Sequence, residues 1–244
     1  MRWSEGVRDA GVLWKLLRGM PGGGSHASRL DRFYAGQAEH YDAFRERLLG
    51  GRRELIASLD IRPGSHIVEI GAGTGANVAF FDAARQRDCS FTLVDLCTPL
   101  IEQARRRFAD RANLSVLQAD ATRLQMDRPA DVVLLSYALT MMPTWDAVMR
   151  RAAGLLAAGG QLAVVDFYLL GSDPPPACRA RHGALQRTFW RHWFRHDGVE
   201  LDQRRLQRLL DLCPQHELSE HRHRLPWMAG LSVPYFRFVG RRAA

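Results

Sequence analysis

The sequence predicts an α/β fold: a mostly parallel sheet of seven strands with helices on both faces, preceded by further helical segments. Three observations carry this. Short apolar runs alternate with helical segments from residue 66 to residue 170, the order that builds a parallel sheet from strand–helix–strand units. The first run, HIVEIGAGTG at 66–75, ends in an acidic residue and then breaks into three glycines. The second, FTLVDL, ends in Asp95, 20 residues past Gly75.

A chain of 244 residues that is 46% hydrophobic can bury one core, or one core with a cap. Its net charge of +8 favours an anionic partner, either nucleic acid or an anionic membrane surface. Composition does not separate the two. Cys89, Cys97, Cys178 and Cys213 form no CxxC pair and read as reduced thiols. No run approaches the ~18 consecutive apolar residues of a spanning helix, and the N-terminus lacks an apolar signal-peptide core. The expectation is a cytoplasmic protein with peripheral membrane association.

Residues 7–19, VRDAGVLWKLLRG, place Leu13, Trp14, Leu16 and Leu17 on one helical face with Arg8, Lys15 and Arg18 opposite. Such a basic amphipathic helix suits a membrane interface, and equally suits packing on the protein's own surface. The stretch MPGGGSHAS that follows is turn chemistry. From 28 to 59 the pattern is helical again, interrupted at Gly50-Gly51, with Tyr41, Asp42 and Arg45 within one turn of each other. Aromatic residues at this spacing also serve as ordinary core contacts.

The spacing of the glycine loop decides its kind. Gly71, Gly73 and Gly75 follow a Gly-x-Gly-x-Gly pattern, and position 76 is Ala, so the Gly-x-Gly-x-x-Gly of dinucleotide folds fails. With Glu69 two residues before the first glycine, the loop resembles motif I of class I S-adenosylmethionine (SAM) methyltransferases, which implies a Rossmann-like fold and SAM as cofactor. A glycine turn without a ligand is the alternative for the loop alone. Asp95 stands near the roughly 20-residue offset at which an acid takes the ribose hydroxyls, although an Asp at a strand end can also cap a helix. The resemblance implies that Leu96 packs on the adenine, that Asp120 with Ala121 meets its amino group, and that the segment before motif I folds back as a helical lid bearing Tyr41.

The remaining elements follow in order. Helix 98–109 opens with Thr98 as cap and Pro99 in the first turn. A third strand ends at Asp120, and a fourth runs from Val132 to Leu135 into Ser136-Tyr137. Since ligands in open α/β sheets sit beyond the carboxyl ends of strands, Ser136, Tyr137 and the Met141-Met142 pair face donor and acceptor. The Gly159-Gly160 turn feeds a fifth strand ending at Asp166. After the break GSDPPPA, the segment ALQRTFWRHWFRHDGVEL clusters Phe189, Trp190, Trp193 and Phe194, with Arg187, Arg191 and Arg195 on another face. That helix could touch an amphiphilic substrate or a membrane. His192 and His196 share metal-ligand spacing, but no third ligand supports a metal site, and none is expected. HELSEHRHRLPW and VPYFRFVG supply two last strands that close the sheet as an antiparallel pair.

The segments SHASRLDRFY, HYDAFRERLLGGR, LSYALTMMPTW, FWRHWFRHDGV and VPYFRFVG together resemble the BtaB-type methyltransferases of betaine-lipid synthesis. The resemblance covers nearly the whole chain, and places Tyr41, Arg45, Gly51 and Arg52 on that family's N-terminal pattern and Tyr235 on its C-terminal one. It implies three successive methylations of the amino group of diacylglycerylhomoserine at an anionic membrane surface. The organisation is then a helix and lid over 1–64 and a SAM-binding domain over 65–244, with a substrate-side insertion around 171–200.

Methyl transfer needs a neutral amine aligned with the methyl carbon and sulfur in a dry site. Tyr41, Tyr137 and Tyr235 are candidates to accept the amine's proton, and each could instead be a packing residue. Arg45, Arg52 and Arg237 are candidates to hold the homoserine carboxylate through paired bonds. Two alternatives stand: a phosphatidylethanolamine N-methyltransferase, and an RNA-directed methyltransferase or RNA-binding protein on the same fold. Nucleic acid is the less expected partner, because Ser136-Tyr137-Ala138-Leu139 stands where base methylases carry an Asn/Asp-Pro-Pro-Tyr motif.

Overall fold

The computed structural model of the chain describes residues 22–35, 42, 45–195, 198–225 and 230–242. Residues 7–19 and Tyr41 lie outside the described residues. Seven strands form one sheet in the order β3-β2-β1-β4-β5-β7-β6. They are β1 (His66–Ile70), β2 (Ser90–Asp95), β3 (Leu114–Gln118), β4 (Ala130–Ser136), β5 (Leu156–Phe167), β6 (His216–Arg224) and β7 (Ser232–Arg241). Strands β1 to β5 are parallel; β7 runs antiparallel to β5, and β6 antiparallel to β7. The strand order reverses between β1 and β4, and the crevice at such a reversal is where open α/β sheets bind ligands.

All five residues of β1 are buried, as expected of a central strand covered on both faces. Successive side chains then serve two cores. Val68, Ile70, Val133, Leu135 and Val164 pack with helices α5 (Trp145–Leu155) and α7 (Gln203–Leu212). Ile67, Val132, Leu134 and Val165 pack on the other face with Leu55 and Ile56 of α2 (Arg52–Ala57) and Trp190 and Phe194 of α6 (Ala184–Arg195). Truncating one such fully buried side chain, for example Leu134→Ala, costs about 2–5 kcal/mol.

Three local expectations change. The helical segment after the glycine loop is a 3-10 turn, Ala76–Phe80, followed by the short helix α3, Ala83–Asp88. Phe81 is extended, and the Asp82 carboxylate accepts from Arg85 N, restarting the helix. Helix α4 spans Thr98–Arg107, but Thr98 does not cap it with its own side chain. The cap comes from a distance: Asp31 of α1 (His26–Tyr34) accepts from Thr98 N at 2.8 Å and from the Thr98 hydroxyl at 3.3 Å. The Gly159-Gly160 turn lies inside β5, where the β4 pairing shifts register between Ala130 and Val132.

Helix α1 begins at Ser25, whose hydroxyl accepts from Ser28 N at 3.2 Å. Its buried residues Leu30, Phe33 and Tyr34 form a small core with Cys97 and Leu100, packed against Leu96 and Met141. The helix therefore lies across the carboxyl ends of the strands on the β2 side.

Candidate active site

The glycine loop takes its shape from backbone that side chains resist. Gly71, Gly73 and Gly75 sit at φ of +72°, +58° and +73°, the left-handed region. A Cβ at Gly71 would stand 2.6 Å from the Ala138 Cβ, and one at Gly75 would stand 2.6 Å from both Leu93 and Phe108. Gly71 and Gly73 line the main cleft, whereas Gly75 faces away from it and permits close packing.

Asp95 closes the loop. Its Oδ2 accepts from Gly73 N at 2.7 Å and its Oδ1 from Cys97 N at 2.9 Å. A carboxylate offers about four lone-pair positions, so each oxygen keeps one for a further donor. Burial pushes its pKa up, opposed by these two backbone bonds.

Glu69 acts from behind the loop and lines neither the cleft nor the polar pocket beside it. It is fully buried, accepts from Asn77 Nδ2 at 2.6 Å, and is pushed up by burial to about 7. Asn77 in turn accepts from Arg52 Nη1 at 3.1 Å, and Arg52 Nε donates to the Leu49 carbonyl at 3.2 Å. Burial, with Arg45 nearby, lowers the Arg52 guanidinium to about 10, so it stays charged at neutral pH. Arg45, Arg52 and Ser136 border the polar pocket, about 300 Å³, beside Gly71. The Ser136 hydroxyl is buried there with no hydrogen-bond partner among the described residues, a costly arrangement unless a ligand supplies one.

The main cleft measures about 760 Å³ and opens to solvent. Asp95, Leu96, Asp120 and Ala121 all line it, as does Tyr137, and Arg45 borders both spaces. Leu96, Leu100, Ala121 and Val148 give it apolar walls; His26, Leu30 and Tyr34 of α1 cover it. Asp120 Oδ1 accepts from Thr122 N and the Thr122 hydroxyl at 2.9 and 2.8 Å, bonds that hold its pKa down. Across from it, His26 Nδ1 is buried without a partner among the described residues. Burial, with Arg29 nearby, depresses the His26 pKa, keeping the ring neutral. His26, Asp31 and Asn77 carried no sequence signal: Asp31 and Asn77 bind Thr98 and Arg52, 67 and 25 residues away, and His26 reaches the cleft only through the packing of α1.

Tyr137 is the one non-glycine residue with positive φ among the described residues, at +53°. For a bulky residue this is an outlier held by its surroundings. Its hydroxyl donates to the Gly50 carbonyl at 2.7 Å, its ring packs on Phe167 at 4.6 Å, and burial raises its pKa well above the ordinary value. The hydroxyl is thus engaged as a donor. Tyr235 and Arg237 do not border the cleft. The Tyr235 ring lies over Gly51, where a Cβ would stand 2.4 Å from it, and stacks on His221 at 5.1 Å. Arg237 Nε donates to His221 Nε2 at 3.1 Å. The strand-end Asp166 is buried, accepts from Thr140 N and the Thr140 hydroxyl, and is raised by burial to about 6. It holds the turn Leu139–Met141 that forms the cleft's far rim.

An acid with two lone pairs to spare, an apolar slot beside it, and a corner with two guanidinium groups and an unpartnered hydroxyl suit a ligand that is nucleoside at one end and amino acid at the other. The comparisons agree. A family profile described as a methyltransferase domain matches residues 67–160. The chain is 27% identical over 150 residues to the ubiquinone/menaquinone biosynthesis C-methyltransferase UbiE of Pseudomonas putida, spanning 58% of this chain and 59% of that protein. The chain thus spans about three fifths of the length of the UbiE relatives it matches. Among solved structures it is similar to Haemonchus contortus phosphoethanolamine N-methyltransferase 2 in complex with S-adenosyl-L-methionine, with a TM-score of 0.68 at 14% identity over 91% of this chain and 61% of that one. It is also similar to the N-methyltransferase NodS of Bradyrhizobium japonicum in complex with S-adenosyl-L-homocysteine, with a TM-score of 0.60 at 16% identity over 89% of this chain and 99% of that one. Glycine loop, strand-end acid, sheet order and family match together make residues 67–160 the core of a class I SAM-dependent methyltransferase domain.

Proposed function

We propose that the chain is a SAM-dependent N-methyltransferase whose acceptor is the amino group of diacylglycerylhomoserine, methylated successively to the trimethylated betaine lipid. One observation supports this above the others. Three of the segments that carry the resemblance to betaine-lipid methyltransferases, remote in sequence, meet at Gly50-Gly51: the Tyr137 hydroxyl binds the Gly50 carbonyl and the Tyr235 ring covers Gly51. A chance match of scattered motifs has no reason to converge on one corner beside the cofactor cleft.

SAM, when bound, supplies an electrophilic methyl group on a sulfonium. Asp95 would take the ribose hydroxyls with its two remaining lone pairs, and Asp120 with His26 would flank the adenine. Arg45 and Arg52 suit the methionine carboxylate, and the Ser136 hydroxyl its ammonium group, better than the acceptor's carboxylate, because all three border the pocket against Gly71. The residues around the cleft would hold a neutral acceptor amine in line with that methyl group and exclude water from it. Tyr137 is read as a wall that fixes the acceptor's approach, since its hydroxyl already donates to Gly50 and its pKa is raised. Tyr41 keeps its sequence-based place as a lid and proton-acceptor candidate.

The similarity to UbiE favours carbon methylation of a quinone-type ring as the second reading. The test is to incubate the protein with labelled SAM and, in separate mixed micelles, diacylglycerylhomoserine, phosphatidylethanolamine or a demethylated quinone, with total RNA as a further arm. Mono-, di- and trimethylated homoserine lipid, identified by mass spectrometry, is the expected result. Label on any other acceptor, with the homoserine lipid untouched, overturns the assignment.

A further inference from the structure

We infer that the outer face of helix α6, together with Leu231 just before β7, is a docking surface for an anionic lipid bilayer. The helix carries two aromatic layers. Trp190 and Phe194 point inward and are 2% and 5% exposed, whereas Leu185 on the outer side is 89% exposed and Phe189 40%. Leu185, Phe189 and Trp193 follow one another at four-residue steps, a single ridge along the helix. Phe189 and the half-buried Trp193 stack at 6.2 Å with planes 20° apart, which makes these two rings one apolar edge. Contiguous exposed apolar surface of this kind marks an interaction site.

Charge identifies the occupant. Between Asp173 and Asp197 the sequence has no acidic residue and five arginines: Arg179, Arg181, Arg187, Arg191 and Arg195. Arg191 and Arg195 are exposed on the flank of the helix away from the ridge, so a bilayer meeting the outer face takes the apolar edge on one side and the guanidinium groups, held among anionic headgroups, on the other. Leu231, 45% exposed just before β7, accepts through its carbonyl from Leu225 N at 3.0 Å, and Leu225 and Val233 belong to the same core as Trp190 and Phe194. No described helix is long and apolar enough to cross a membrane.

The surface is coupled to the active site through a chain of rings. Phe194 packs on Phe167 at 5.0 Å, and Phe167 on Tyr137 at 4.6 Å, which lines the cofactor cleft. A bilayer held on α6 therefore lies next to the wall along which a lipid headgroup would approach. The assignment rests on the ridge and its charge, not on the acceptor's identity; a protein that binds vesicles but leaves diacylglycerylhomoserine unmethylated keeps this surface and loses that substrate.

The test compares the full chain with two double variants, Leu185→Ser with Phe189→Ser, and Arg191→Glu with Arg195→Glu. Vesicle flotation uses phosphatidylcholine alone and phosphatidylcholine with one third phosphatidylglycerol. The wild type is expected to float with the anionic vesicles, and each double variant to bind them roughly tenfold or more weakly, with SAM affinity unchanged as the folding control. The arginine variant should differ from wild type only on anionic vesicles. Equal binding by wild type and variants overturns the inference and transfers any membrane contact to another part of the chain. Wild type that ignores vesicles but binds total RNA through Arg191 and Arg195 overturns it in favour of a nucleic-acid surface.

Discussion

Replacing Asp95 with Asn tests the cofactor site at its most constrained atom. The wild-type carboxylate holds Gly73 N and Cys97 N, one on each oxygen, and keeps one lone pair per oxygen for a ribose diol. Hydrogen bonds to a charged group contribute about 1.5–3 kcal/mol each. The amide keeps one acceptor oxygen, while its NH2 group faces a backbone N–H that it cannot satisfy. One ribose bond is lost outright and the other weakened, so the expected loss is about 2–4 kcal/mol, or roughly 30- to 1000-fold in Kd at 1.4 kcal/mol per tenfold. Isothermal titration with SAM and with S-adenosylhomocysteine reads this directly. Because burial raises the Asp95 pKa, wild-type affinity should fall on acidification at a higher pH than an ordinary aspartate would dictate, and Asp95→Asn should lack that limb. An affinity within threefold of wild type, in a variant of unchanged thermal stability, would refute the reading of Asp95 as the ribose acid.

Two further outcomes follow from the structure. Glu69 has a folded-state pKa of about 7 against an ordinary 4.5, so the folded state binds its proton more tightly than the unfolded one. The sign is therefore that stability is full below about 4.5 and is lost as pH rises through 7. At 1.36 kcal/mol per pKa unit the loss is about 3 kcal/mol at most. Glu69→Gln should match wild type at pH 4 and melt higher at pH 8, by on the order of 5–10 °C for a chain of this size. Parallel melting curves across the range would show that Arg52 and Arg45 keep the carboxylate charged throughout. Asp31→Ala removes the remote cap on α4, worth about 0.5–2 kcal/mol. It should release α1, seen as faster tryptic cleavage at Arg29 and Arg32 and a several-fold weaker SAM affinity; an unchanged digest would mean that Leu30, Phe33 and Tyr34 hold the helix alone.

The sequence by itself determined the sheet and its ligand-binding end. Alternating apolar runs point to a parallel sheet, Gly71-x-Gly73-x-Gly75 to left-handed backbone at the first strand's end, and Asp95 at the second strand's end to the same crevice, because apolar periodicity and glycine spacing are local properties of the chain. Only the tertiary structure decided which polar groups serve which partner. Glu69 stands beside the loop in sequence yet acts from behind it through Asn77. Arg237, two residues after Tyr235, is turned to His221 rather than to the cleft. The α4 cap is not the adjacent Thr98 hydroxyl but Asp31, 67 residues away. The Tyr137 hydroxyl, a candidate proton acceptor by sequence, donates to Gly50 across 87 residues of chain. The physical reason is common to all four: a side chain's partner is fixed by how the folded segments pack, whether 8 or 87 residues apart, and no periodicity or spacing along the chain encodes that contact.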